Sequence, residues 1–396
     1  MTNHVQHTPA SPSLQLHRDT ATLMAAIGIV GANSLLMGPI APGIAAALGI
    51  SIGEVLRAAA AYGLGTALGA VALAPLIDRI GPQPALRAAL AVLFVALGAS
   101  AAAPGLLALI AAQGLAGLAA GAALPATYAL AVAIAPAGRE SVILGRVLIG
   151  WTLSLVGGVA GAALLADIAG WRMVYLVLAA LCLGVLLGLS RMPKADHAPV
   201  TDGPLLPFHA VRIAQVPRLL MINAMFMLAF YSVYGLMGAH LVDVLGQPLR
   251  ATGWIALSYG AGFGLAAFGD PLIDRFGARR IMPLAMGLIA LILTAISLLA
   301  GALIPLLSVT FLWGLANHFG LNVVVARLTN VAGRHRGAVL GLYSGVTYLS
   351  ASAAALIGAA LYAADGFALV ARFGAGAVFL GLILSLTLLP SLKNAS

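Results

Sequence analysis

Apolar runs of bilayer length recur along the whole chain, broken only by isolated charges, prolines and glycines. Where no water reaches, a backbone must satisfy its own hydrogen bonds, so a chain crosses hydrocarbon as helices of about 20 residues. Divided on that basis, the 396 residues yield twelve spans, at about 20–41, 55–77, 85–103, 105–134, 142–166, 170–190, 217–243, 250–269, 280–302, 304–326, 337–363 and 366–390. Pro104 and Gly105 separate the third from the fourth, and the ninth and tenth part near Pro305.

Composition agrees with the spans. Hydrophobic residues make up 62% of the chain and charged residues 8%; mean hydropathy is +1.07. A soluble domain carries about 25% charged residues, so this chain could not clothe a water-exposed surface. The net charge of +9 is not a nucleic-acid footprint, because the basic residues stand singly between apolar runs and share no face. One cysteine, Cys182, excludes a disulfide framework and a cysteine-rich metal site. The sequence has no G-x-x-x-x-G-K-[ST] phosphate loop and no H-E-x-x-H. The expectation is a protein without catalytic residues, metal or cofactor, and not an enzyme.

Residues 1–19 form a polar tail without the pattern of a cleavable signal. The longest internal polar stretch, 191–216, divides a half at 20–190 from a half at 217–390, with a short tail at 391–396. With the N-terminus in the cytoplasm, only Arg57, Arg172, Arg250 and Arg372 of the twenty Lys and Arg fall outside, leaving sixteen inside. That asymmetry sets both termini in the cytoplasm. Low Lys use beside abundant Arg and Ala points to a GC-rich bacterial source, hence the inner membrane.

The two halves repeat. Pro75-Leu76-Ile77-Asp78-Arg79 recurs letter for letter as Pro271-Leu272-Ile273-Asp274-Arg275, 196 positions later. Gly81 and Gly277, Gly145 and Gly341, and Gly170 and Gly366 keep the same offset. Six-span halves in one orientation are parallel repeats about an axis along the membrane normal, with a cavity between them.

These motifs resemble the major facilitator superfamily, and the resemblance covers nearly the whole chain. The repeated segment is similar to the family's loop signature, G-x-x-x-D-R-x-G-R-R. In the first copy Ala74 holds the leading position, and Pro82 and Gln83 replace the basic pair; in the second, Asp270 leads and Arg279 and Arg280 remain. The resemblance implies a gate formed by Asp78, Arg79, Gly81, Asp270, Asp274, Arg275 and Gly277. Gln113, Gly117 and Gly121 lie on a fourth-helix pattern like R-x-x-x-G-x-x-x-G of twelve-span drug–proton antiporters, with Gln113 in the place of the Arg. Gly157, Gly158, Gly161 and Ala162 resemble the antiporter motif G-P-x-x-G-G. Gly117, Gly121, Gly157 and Gly161 are read as helix-packing positions, small residues four apart permitting close approach.

Ionisable groups deep in a bilayer are costly enough to suggest function. His318, midway along the tenth span beside Asn317, is the clearest, and an imidazole titrates near neutral pH. Glu54, His240 and Asp243 are placed at the outer rim, in solvent. In the family the first, fourth, seventh and tenth helices line the cavity, which makes Asn33, Gln113, Tyr231, Tyr234, Asn317 and His318 the candidate lining residues and His318 the candidate coupling group. The expected protein is an all-α membrane transporter of twelve helices in two repeats, a monomer in the bilayer that exports a drug or metabolite in exchange for protons. The alternatives are an uptake permease for a sugar or small organic anion, and a membrane receptor or assembly factor that does not transport.

Overall fold

The computed structural model describes residues 12–73, 77, 79–193 and 207–388. Among these, the regular structure is entirely helical. Asp78, Pro75, Leu76 and most of the stretch between the halves lie outside the described residues.

Local chemistry sets where each crossing begins and ends. The first runs Pro12–Leu35, bends by 54° and continues as Met37–Leu48. A proline ring clashes with the carbonyl four residues earlier, and Pro39 stands four residues after Leu35, where the first piece ends. Gly49 closes the crossing in a left-handed conformation at φ 65°, which costs glycine little. Ser51 and Glu54 then form a capping box: the Ser51 hydroxyl accepts from the Glu54 N–H at 3.2 Å and the Glu54 carboxylate accepts from the Ser51 N–H at 2.8 Å. The second crossing, Ile52–Ala72, starts there. His240 departs from the expectation of a solvated rim residue. It is buried, its Nε2 lies 2.7 Å from the Ala300 carbonyl oxygen, and its ring stacks on Phe367.

Nine helices among the described residues are long and apolar enough to cross a bilayer, and the bent pair is a tenth. The continuous stretch Arg336–Leu386 is broken by non-helical Asp365 and Gly366 and makes two passes. Thr252–Leu265 continues through a 3₁₀ segment, Ala266–Gly269, into Asp270–Phe276 and supplies the eighth. The protein is therefore an all-α membrane protein of twelve crossings, and both ends of the described chain emerge on one side. That side is here the terminal end, its opposite the far end.

The duplication is visible in backbone geometry. Gly81 and Gly277 both turn at positive φ, 88° and 80°, as do Gly170 and Gly366, 82° and 68°. Inside the halves the second and fourth crossings touch backbone to backbone, and so do the eighth and tenth. A methyl group at Gly65 would overlap the Gly114 carbonyl, and one at Gly117 the Tyr62 carbonyl. The second half repeats both contacts, Gly262 against Phe311 and Gly314 against Tyr259. These pairs stand 197 residues apart, one more than the loop motif, so the second copy is one residue shorter between Gly262 and Pro271. The 3₁₀ segment lies in that interval. Its rise of about 2.0 Å per residue, against about 1.5 Å in an α-helix, lets four residues cover the length of five.

Gly121 is likewise pressed against Thr66, but Gly157 and Gly161 face open space. Close approach in the fifth crossing falls at Gly150, against Met24, and at Gly158, against Ala32. The reason is a π-helical turn, Ser154–Val159, whose extra residue rotates the face that follows it.

Two hydrophobic cores form, one largely from residues before the middle of the chain and one from those after it. Leu35, Leu56, Ala60, Leu155 and Val159 of the first half join the second core, all toward the far end of their crossings. The halves also meet at Gly38 against Gly235, Gly253 against Ala160 and Gly260 against Val156, and at Arg250, whose guanidinium donates to Asp167 at 3.0 Å. Contact between the second and eleventh crossings reaches further, to Gly345 against Val71.

Candidate functional site

Two polar features interrupt the apolar bundle. One lies between the halves. Ser34, Tyr62, Tyr231, Tyr234 and Tyr348, with apolar residues such as Leu56, line a cavity bounded by the first, second, seventh and eleventh crossings. About 40 Å³ of it is open to water centres, room for about three waters. Behind Tyr234 an aromatic cluster fixes the wall: Phe230 stacks on Tyr234 at 5.4 Å, and Tyr259 meets Tyr234 at 5.7 Å and Trp313 at 5.2 Å. The Tyr234 hydroxyl, Trp313 Nε1 and Asn317 Oδ1 are buried without a hydrogen-bond partner. Toward the far end, a wider groove of about 490 Å³ runs between Pro42, Gly49, Asp243 and Tyr362.

The second feature lies wholly inside the second half. His318 is midway along Leu303–Ala332, about 22 Å from either end at 1.5 Å per residue. Its Nε2 stands 2.8 Å from Asp270 Oδ1, and Asn322 Nδ2 donates to the same oxygen at 3.2 Å. With Nε2–H donating to the carboxylate, Nδ1 is the free nitrogen of the ring. It is buried and has no partner. The His318 side chain is 9% exposed and that of Asp270 47%, so the carboxylate is the accessible member. The ring is held edge-on to Phe263 at 4.9 Å. Asp270 owes its reach to the 3₁₀ segment, which ends one residue before it. At the 197-residue register the counterparts of His318 and Asn322 are Gly121 and Pro125, so the first half has no such pair.

The six cavity candidates therefore divide into three groups. Tyr231 and Tyr234 line the space between the halves. Asn33 and Gln113 turn to each other, 3.4 Å apart, and Gln113 donates onward to Ser100 at 2.9 Å, inside the first half. Asn317 donates to the Tyr259 hydroxyl at 2.9 Å, and His318 pairs with Asp270. Ser34, Tyr62 and Tyr348 were missed, two of them because the second and eleventh crossings were not counted among the lining helices. Of the residues expected to form the gate, Gly81 and Gly277 form tight turns at the terminal end, and Arg79 and Arg275 are exposed there. Asp78 and the Asp274 side chain lie outside what is described.

The family model described as Major Facilitator Superfamily matches residues 23–333 and 219–395. A curated relative, the "Uncharacterized MFS-type transporter YwfA" of Bacillus subtilis (strain 168), is 27% identical over 362 residues, 90% of this chain and 88% of that protein. The "Chloramphenicol resistance protein" of Streptomyces lividans is 26% identical over 321 residues, 78% of this chain and 81% of that one. Among solved structures, the nucleoside transporter NupG superposes with a TM-score of 0.75 at 12% identity, covering 96% of this chain and all of that one. The human organic anion transporter MFSD10 (TETRAN) gives 0.69 at 14% identity, over 93% and 99%. At such identities the structures share the fold alone.

Proposed function

This chain belongs to the Major Facilitator Superfamily and is a membrane transporter of small molecules, and we propose that it exports its substrate in exchange for protons. In this reading it is a monomer of the bacterial inner membrane, with its termini and the stretch 191–216 in the cytoplasm, and works by alternating access. The far end is then periplasmic, and contacts concentrated there correspond to a state closed to the outside. The domain division at 20–190 and 217–390 describes the two rocking bodies, and the turns at Gly81 and Gly277, with Asp78 and Asp274, are their cytoplasmic gate.

The observation that carries proton coupling is the His318–Asp270 pair. With a neutral imidazole the cluster bears one negative charge; a proton on Nδ1 removes it. His318 is buried, so the helices around it feel that change, while solvent screens it on the Asp270 side. Asp270, half exposed, is the entry point, and His318 the store. Gln113, which replaces the antiporter Arg, donates to Ser100 and leaves proton handling to the tenth crossing. Export is supported by the chloramphenicol resistance relative and by the antiporter-like fifth crossing.

The test is transport in proteoliposomes with a panel of neutral, anionic and cationic aryl compounds, chloramphenicol included. A proton gradient should drive accumulation opposite to proton flow. His318→Gln keeps hydrogen bonding but does not titrate near neutrality; it should lose gradient-driven accumulation and retain counterflow. Gradient-driven transport with unchanged pH dependence in His318→Gln would remove the pair from coupling. Accumulation in the direction of proton flow would establish the uptake reading.

A further inference from the structure

We infer that the cavity between the halves selects uncharged aromatic molecules carrying a hydrogen-bonding group, and discriminates against organic anions and cations of the same shape. This rests on the transport reading above, since it names the substrate class of that site.

The first observation is the absence of charge from the wall. Along the four bounding crossings, the described charged residues lie near the helix ends: Arg18 and Asp19, Glu54 and Arg57, Arg218 and Asp243, and on the eleventh Arg336 and Asp365. The titratable pair at mid-depth, His318 with Asp270, belongs to the eighth and tenth crossings, and neither residue lines the cavity. A charged ligand would lose its hydration and meet no counter-ion, which a low-dielectric site does not repay.

The second observation is what the wall does offer. Tyr62, Tyr231, Tyr234 and Tyr348 bring aromatic surface to one small space. The Tyr234 hydroxyl is buried, 2% exposed as a residue, and has no partner. A buried hydroxyl without a partner is costly, and native proteins seldom leave one so unless a ligand or water completes it. The Tyr62 hydroxyl is already engaged, donating to the Val30 carbonyl at 3.3 Å with Asn33 and Thr66 also beside it, which leaves Tyr234 as the hydroxyl to be completed. The ring of Tyr234 is engaged by Phe230 and Tyr259, and a cation over the faces of the other tyrosines would still find no counter-ion to offset its lost hydration. In the present state the space has room for only a few waters, so a ligand enters as the halves part.

The experiment uses three probes of matched shape: 3-phenylpropanol, 3-phenylpropionate and 3-phenylpropylammonium. Binding to the full-length protein in lipid nanodiscs is read by saturation-transfer difference NMR, with no gradient imposed. The alcohol should bind, and Tyr234→Phe, which keeps the ring, should weaken it about fivefold, as for one lost hydrogen bond. Tyr231→Ala should weaken it further. The acid and the amine should show no dependence on either variant. Variant-sensitive binding of the acid or amine that matches or exceeds the alcohol would overturn the inference, as would alcohol binding indifferent to both variants. Because His318→Gln should leave this binding intact, failure of proton coupling and failure of the substrate class are read separately.

Discussion

Asp270 and His318 are each ordinary residues with an unusual partner. Asp270 stands where the family's loop signature has a glycine, and a side chain there reaches the tenth crossing because the eighth tightens to 3₁₀ just before it. Two donors, His318 Nε2 and Asn322 Nδ2, converge on one carboxylate oxygen. Residues in one hydrogen-bonded network act as a unit, and their losses do not add. Asp270→Asn and His318→Gln should each slow gradient-driven transport, and the double variant should be no slower than the slower single one. Additive losses in initial rate would show that the residues act separately. His318 was recognisable in the sequence as a mid-span ionisable group. Its partner was not, because Asp270 lies 48 residues away and reads as part of a loop motif.

At the scale of elements, small residues decide which helices touch. Helix association in lipid is driven by packing, since the tails are as apolar as leucine. Gly117 meets the backbone of the second crossing, so Gly117→Val should cost about 1–3 kcal/mol through overpacking. Gly161 meets nothing, so Gly161→Ala should leave stability unchanged or raise it by about 0.5 kcal/mol. Unfolding in mixed micelles measures both; equal losses would contradict the assigned faces. Spacing alone treated the two glycines alike. The π-helical turn before Gly161 separates them, and nothing in the sequence around Ser154–Val159 marks it.

For the whole molecule the question is what holds the far end shut. Glycine and alanine contacts let the halves approach, and Arg250 to Asp167 is the ion pair that crosses between them there. The Arg250 side chain is 56% exposed, so solvent screens the pair and its contribution is modest. Asp167→Asn should raise the labelling rate of a cysteine at Ser34, by a membrane-impermeant thiol reagent added from the far side, about two- to fivefold. The native Cys182 does not interfere, being fully buried against the Leu90 carbonyl. An unchanged rate would assign closure to helix packing alone.

The twelve crossings and the duplication were legible from the sequence, because each rests on short-range chemistry; the first crossing runs on to Leu48 and the eighth to Phe276, past the ends expected at 41 and 269. Apolar length sets a span, Ser51 and Glu54 cap one, and Gly81 and Gly277 permit a backbone angle that other residues resist. Such causes act within a few residues and leave a pattern in the letters. Which polar side chains meet was decided only by the tertiary structure. By its letters Asn33 suited the cavity, yet it turns to Gln113, and Tyr62 was one tyrosine among nine. Rotations of helices against one another, set by glycine contacts, one π turn and one missing residue, aim each side chain. Those rotations are sums over distant contacts, which no local pattern encodes.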